Sequence, residues 1–227
     1  MLEVERLRVS IKGFPILRGV TLKVQARGLI GLVGRNGAGK TTTMKGILGL
    51  VPVIGGRIAL EGTDISKVPS HKRAPLGIGY MPEDRRLIGA LTVEDNILMP
   101  AWATRRTDDR QRLQYICDIM PDVRPLVGRR ASSLSGGQQK MVALARAVMT
   151  GTKLLLLDEA FEGLSPAAGE RFAETIQALQ REGLAILIAE SDDKRLGFVH
   201  TVYTIERGEI VEPGATLIVS DDTAPWR

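Results

Sequence analysis

The stretch LVGRNGAGKTTTMKGILG, residues 32–49, leaves few options for the chain around it. Gly34, Gly39, Lys40 and Thr41 fit the spacing G-x-x-x-x-G-K-[ST], with the apolar run GLIGLV before them and the helix-compatible TTTMKGILGL after. Glycine admits positive φ and lacks a Cβ, so consecutive N–H groups can turn inward around phosphate oxygens. The positive end of the following helix dipole points at the same place. A loop of this kind between strand and helix implies an α/β fold that binds a nucleoside triphosphate. Gly34, Arg35, Asn36, Gly37, Ala38, Gly39, Lys40, Thr41 and Thr42 are expected to wrap the phosphates. Lys40 should bridge the outer ones and serve catalysis, and the Thr41 hydroxyl should hold Mg²⁺.

A second segment, KLLLLDEA, reads as a fully buried strand whose acids emerge at the carboxyl edge of the sheet, where ligands of open α/β sheets bind. Asp158 is expected to hold Mg²⁺ through water, and Glu159 to accept a proton from the attacking water.

Strand-like bursts bounded by glycine alternate with helical spacing along most of the chain. This predicts a mostly parallel sheet with antiparallel strands added at the start. Between about Leu91 and Thr150 no strand-like run occurs, and DDRQRLQYICDIM and GGQQKMVALARAVM have helical spacing. A single domain of residues 1–227 is expected, its nucleotide-binding core formed by 1–82 and 151–227 and a helical subdomain by 83–150. No apolar run reaches the roughly 18 to 20 residues of a bilayer-crossing helix, and MLEVERLRVS lacks a signal peptide's hydrophobic region. The lone Cys117 permits no internal disulfide. A cytoplasmic protein, soluble by itself, is expected. The net charge of +5 raises nucleic acid as a partner. However, the arginines are scattered and aromatics to stack bases are few, so none is expected.

Between the two phosphate-site segments lies SSLSGGQQKMVALARAV, in which Leu134, Ser135, Gly136, Gly137 and Gln138 spell LSGGQ. This resembles the signature of the ABC-type ATPases, and the likeness extends over nearly the whole chain. It implies a P-loop NTPase fold, ATP as substrate, Mg²⁺, and two domains packed head to tail so that Ser135, Gly136, Gly137 and Gln138 serve the nucleotide of the neighbour. The segment GIGYMPEDRRLIGALTVEDNI is similar to that of the smaller ATPase subunit of branched-chain amino acid uptake systems and of their urea and short-amide relatives. Glu83 stands where most of the family has glutamine, at the position that reaches nucleotide and metal. AFEGLSP follows Glu159, with Ala160 in place of a proline and Ser165 in place of an aspartate.

Two further departures bear on mechanism. Ile11 occupies the place of the aromatic that stacks on adenine, with Phe14 nearby but shifted by three. Ser191, in IAESDD, falls where a switch histidine contacts the γ-phosphate. Serine can hydrogen-bond a phosphate but carries no imidazolium charge, so slow hydrolysis is expected of the subunit alone. His71 and His200 are read as structural or solvated. The resemblance implies an importer ATPase, peripheral on the inner face of the cell membrane and working with two transmembrane permease subunits, a soluble substrate-binding protein and a second, non-identical ATPase. A urea or short-amide importer and a regulatory nucleotide-binding module with little hydrolysis remain as alternatives.

Overall fold

The leucine run at 154–157 shows how the molecule is layered. In the computed structural model, which describes residues 1–216, Leu154 and Leu156 face one hydrophobic core while Leu155 and Leu157 face another. The same alternation holds in the strand Ala185–Glu190, where Ile186 and Ile188 face the second core and Ala185, Leu187 and Ala189 the first. Strands buried on both faces have no polar side to show, which is why they read as unbroken apolar runs.

In chain order the elements are β1 (Leu2–Ile11), β2 (Phe14–Val24), β3 (Leu29–Val33), α1 (Lys40–Ile47), β4 (Val53–Leu60), β5 (Thr63–Asp64), α2 (Ser70–Arg73) and β6 (Ile78–Met81). They continue with α3 (Val93–Ala103), α4 (Asp109–Ile119), α5 (Gly136–Thr150), β7 (Leu154–Asp158), α6 (Pro166–Arg181), β8 (Ala185–Glu190), β9 (Thr201–Glu206) and β10 (Glu209–Thr216). The main sheet has the order β10-β9-β3-β8-β7-β6. All its pairings are parallel except β9 with β10.

The antiparallel strands at the start do not join that sheet. They form a second one, in the order β2-β1-β4-β5, and Met44 and Ile47 of α1 pack in the core between the two. Alternation in LEVERLRVSI marks a strand with one buried face, but not which sheet covers that face. β1 is also irregular: its register with both β2 and β4 shifts after Val4 and Glu5, where Arg6 takes φ 47°. A bulge of this kind bends a strand and increases its twist.

On the opposite face, α5 and α6 cover the main sheet, and α3 and α4 pack outward from α5 with Val93, Ile97, Leu113 and Ile116 buried in the shared core. Thr92 caps α3 by accepting from Asp95 N at 3.0 Å. Ser165, the residue standing in place of aspartate, caps α6 by accepting from Ala168 N at 3.4 Å.

Candidate nucleotide site

The glycine loop joins β3 to α1 by a route that only glycine permits at two points. A Cβ on Gly34 would lie 2.3 Å from Ile205 O, and Gly39 takes φ 117° as the N-cap of α1. No side chain caps that helix, so its first amides face the loop's concavity. Lys40, the first helical residue, is only 5% exposed. Its Nζ donates to Gly34 O at 2.6 Å and to Arg35 O at 3.4 Å, which folds the loop back over the lysine.

The ends of β7 and β8 meet this ammonium. Lys40 Nζ lies 3.0 Å from Glu159 Oε1 and donates to Ser191 Oγ at 3.2 Å. Ser191 also binds the same carboxylate twice, its hydroxyl 2.6 Å from Oε1 and its amide donating to Oε2 at 3.2 Å. Burial pushes the Glu159 carboxyl up, but the Ser191 hydroxyl and the Lys40 ammonium outweigh it and hold the group below the usual carboxylate range. Glu159 is therefore ionised and aimed at the cleft by two neighbours. Removing the serine hydroxyl leaves Lys40 as its side-chain partner among the described residues. Ser191→Ala is expected to lower turnover about tenfold, the worth of one hydrogen bond to a charged group, with a smaller change in KM; a steady-state ATPase assay checks this.

Asp158, one residue earlier, has a different pair of partners. Thr41 Oγ1 donates to its Oδ1 at 3.0 Å and Tyr80 OH to its Oδ2 at 3.1 Å. Burial pushes Asp158 up, and raises the Tyr80 phenol so far that it stays a hydrogen-bond donor at any ordinary pH. The hydroxyl of Thr41 and the carboxylate of Asp158 are thus held side by side. Two hard oxygen donors suit Mg²⁺, which takes few protein ligands and completes its shell with water and phosphate. Accordingly, the described residues contain no cluster of three or more His, Cys, Asp or Glu side chains able to hold a metal by themselves.

Lys40, Thr41, Glu159 and Ser191 line a cleft of about 660 Å³ that also contains Asn36, Gly37, Thr42 and Glu83, with Asp158 and Tyr80 behind Thr41. The structure brings together the glycine loop, the β7 and β8 ends and the segment after β6, as the sequence motifs require. It does not bring Ile11 there. Ile11 ends β1 at 38% exposure, and the aliphatic side chain on the cleft is Ile16 of β2, while Phe14 stands 71% exposed. The hairpin turn at Lys12 and Gly13 carries the chain back, so a residue beyond the turn reaches the cleft instead. Neither histidine lines it.

The LSGGQ segment lies outside this cleft. Ser135 caps α5 in a reciprocal box, accepting from Gln138 N at 3.3 Å while its own amide donates to Gln138 Oε1 at 3.0 Å. Ser135, Gly137 and Gln138 border a separate groove with Arg171 and Phe172 of α6. A helix start open to an anion, yet set apart from the chain's own phosphate loop, suits a nucleotide held by another subunit.

Residues 17–162 match the family model described as ABC transporter. The chain belongs to this family. Among curated relatives it is similar to the high-affinity branched-chain amino acid transport ATP-binding protein BraG of Pseudomonas aeruginosa, at 32% identity over 97% of this chain and 96% of the relative. It is equally similar to the lipopolysaccharide export system ATP-binding protein LptB of Haemophilus influenzae, at 32% over 98% and 93%. Among solved structures, the ADP conformation of MJ1267, an ATP-binding cassette of an ABC transporter, superposes with a TM-score of 0.85 at 23% identity, covering 98% of this chain and 95% of that one. The cassette cbiO1 of Clostridium perfringens, part of the ABC transporter complex cbiONQ, gives 0.81 at 26% identity over 94% and 87%. The protein is therefore an ABC ATPase, which hydrolyses ATP to ADP and phosphate to drive transport. Among the described residues no helix is long and apolar enough to cross a membrane.

The side chains at the site that the sequence reading does not name include Tyr80, Lys140, Glu190 and Arg195. Glu190 had a usable signal, since it ends the buried run LAILIAE just as Asp158 ends LLLLD. Lys140 had one too, because it falls on the face of α5 that Met141, Leu144 and Val148 mark as buried.

Proposed function

We propose that this chain is the ATPase of an importer for branched-chain amino acids, peripheral on the inner face of the membrane and paired with a second, non-identical ATPase and two permeases, with a soluble binding protein delivering the solute. The carrying observation is the triad of Lys40, Glu159 and Ser191 within 3.2 Å of one another at the phosphate loop. Incoming phosphate oxygens compete with Glu159 for the Lys40 ammonium. As the lysine turns to them, the Glu159 carboxylate is freed to accept a proton from a water in line with the outer phosphate. Thr41 and Asp158, with Glu83 across the cleft, would hold Mg²⁺, which neutralises charge on the β- and γ-phosphates. The half-site formed by Ser135, Gly136, Gly137 and Gln138 would close over the partner's nucleotide. Because Ser191 supplies no cation, a partner with a histidine at this position makes the heterodimer the more competent assembly.

The solute reading rests on the likeness to BraG, and the equal likeness to LptB supports a second reading, an export ATPase for a lipid-linked substrate. A source strain lacking this chain is expected to lose most high-affinity uptake of labelled leucine, isoleucine and valine, restored by the parent gene but not by Glu159→Gln. Unimpaired leucine uptake combined with lost urea or short-amide uptake would move the assignment to those solutes. Intact uptake of all of them with a defective outer envelope would favour export.

A further inference from the structure

Three ionisable side chains converge on the backbone just beyond β7. Glu159 has φ 48°, a left-handed conformation that costs a non-glycine residue on the order of 1 kcal/mol. The residues after it are sealed from solvent, Ala160 at 0% and Phe161 at 1% exposure. Buried backbone groups must find partners, and here the partners are ionisable side chains. Lys140 Nζ of α5 donates to Glu159 O at 2.7 Å. Glu190 Oε1, at the end of β8, accepts from Phe161 N at 2.9 Å, and Arg195 Nη1 donates to Phe161 O at 2.6 Å. The amide of Glu159 itself donates to Ala189 O at 2.9 Å. The backbone of Glu159 is thus held at its carbonyl by α5 and at its amide by β8, and Phe161, two residues on, is held by Glu190 and Arg195.

Lys140 is the costliest member of this clamp. It is 2% exposed, and burial lowers its ammonium to about 8, opposed by Glu190, whose own carboxyl burial pushes up to about 7. It therefore stays protonated at neutral pH. A lone carbonyl could be satisfied by a neutral donor or a water at far less desolvation cost, so a lysine here does more than fill a hydrogen-bond vacancy. Its helix is capped by Ser135, five residues away, at the start proposed above to close over the partner's nucleotide. Any displacement of α5 pulls on the Glu159 carbonyl directly.

The geometry points to Lys140 as a positioning residue for hydrolysis: it fixes the strained peptide of Glu159 so that the carboxylate faces the cleft, and it ties that aim to the helix that senses the second nucleotide. This rests on the reading of Glu159 as the base. The test is single-turnover hydrolysis and Mg·ATP binding by the full-length chain. Lys140→Met should lower the rate about 10- to 100-fold with affinity changed less than about twofold, and Lys140→Gln, which keeps a donor, should recover part of it. In a Glu159→Gln background, Lys140→Met should add no further loss. Lys140→Met/Glu190→Gln buries no unpaired charge and serves if the single variant fails to fold. An unchanged rate, an equal fall in affinity, or a full additional loss in the Glu159→Gln background would overturn the proposal. If Glu159→Gln alone left hydrolysis intact, the reading of the base would fail instead.

Discussion

Lys40→Ala is expected to reduce Mg·ATP affinity by about 100-fold or more, a loss of about 2.7 kcal/mol. Among the described residues its ammonium is the side-chain cation held at the centre of the loop, 2.6 Å from Gly34 O and 3.0 Å from Glu159. Methyl replaces a point charge that would otherwise contact two phosphates, and it also leaves the Glu159 carboxylate without its cation, so the new site repels the polyanion it should attract. Calorimetry with Mg·ATP reads the affinity. Thermal denaturation gives an independent check: ligand at about 100 times the parent Kd stabilises the parent by about 2.7 kcal/mol, and that shift should disappear in the variant. Unaltered binding would mean that the cleft between the loop and β7 is not the nucleotide site.

Glu159→Gln is expected to lower hydrolysis by about 10²- to 10⁴-fold, the range for loss of a general base. Binding should survive. Glutamine has the same shape, its carbonyl can accept from the Ser191 amide that now donates to Oε2 at 3.2 Å, and one negative charge beside the phosphates is gone. Affinity for Mg·ATP should therefore hold or improve, and the variant should persist as a nucleotide-bound dimer, detected by light scattering, because the bond that would release it is not cleaved. Turnover equal to that of the parent would assign the base elsewhere, and negligible turnover in both proteins would favour a regulatory module without catalysis. The contrast between the two variants separates contact with phosphate from proton transfer.

The local elements were legible because each has a signal within a few residues. The phosphate loop shows in its glycine spacing, β7 and β8 in apolar runs ended by an acid, and the arm from α3 to α5 in helical periodicity without an intervening strand. Where the reading went astray, the missing information was spatial. Ile11 and Ile16 are both aliphatic and lie either side of one hairpin; only the course of the turn at Lys12 decides which of them reaches the cleft. The antiparallel strands were recognisable as strands, yet their separation into a sheet of their own depends on α1 occupying the space between.

What the sequence determined by itself is chemistry carried by contiguous residues: a backbone cradle for phosphates, an adjacent lysine and threonine, a carboxylate at a strand end, and a capped helix start at Ser135. What only tertiary structure decided is which distant groups share a charge environment. Lys40, Glu159 and Ser191 come from three segments spread over 151 positions, and they meet because β3, β8 and β7 are neighbours in the sheet. Lys140, Glu190 and Arg195 converge on the segment from Glu159 to Phe161 because α5 packs on the sheet where β7 and β8 end side by side. Hydrogen bonds and ion pairs act over a few ångströms of space rather than along the chain, so no periodicity in the sequence reports them.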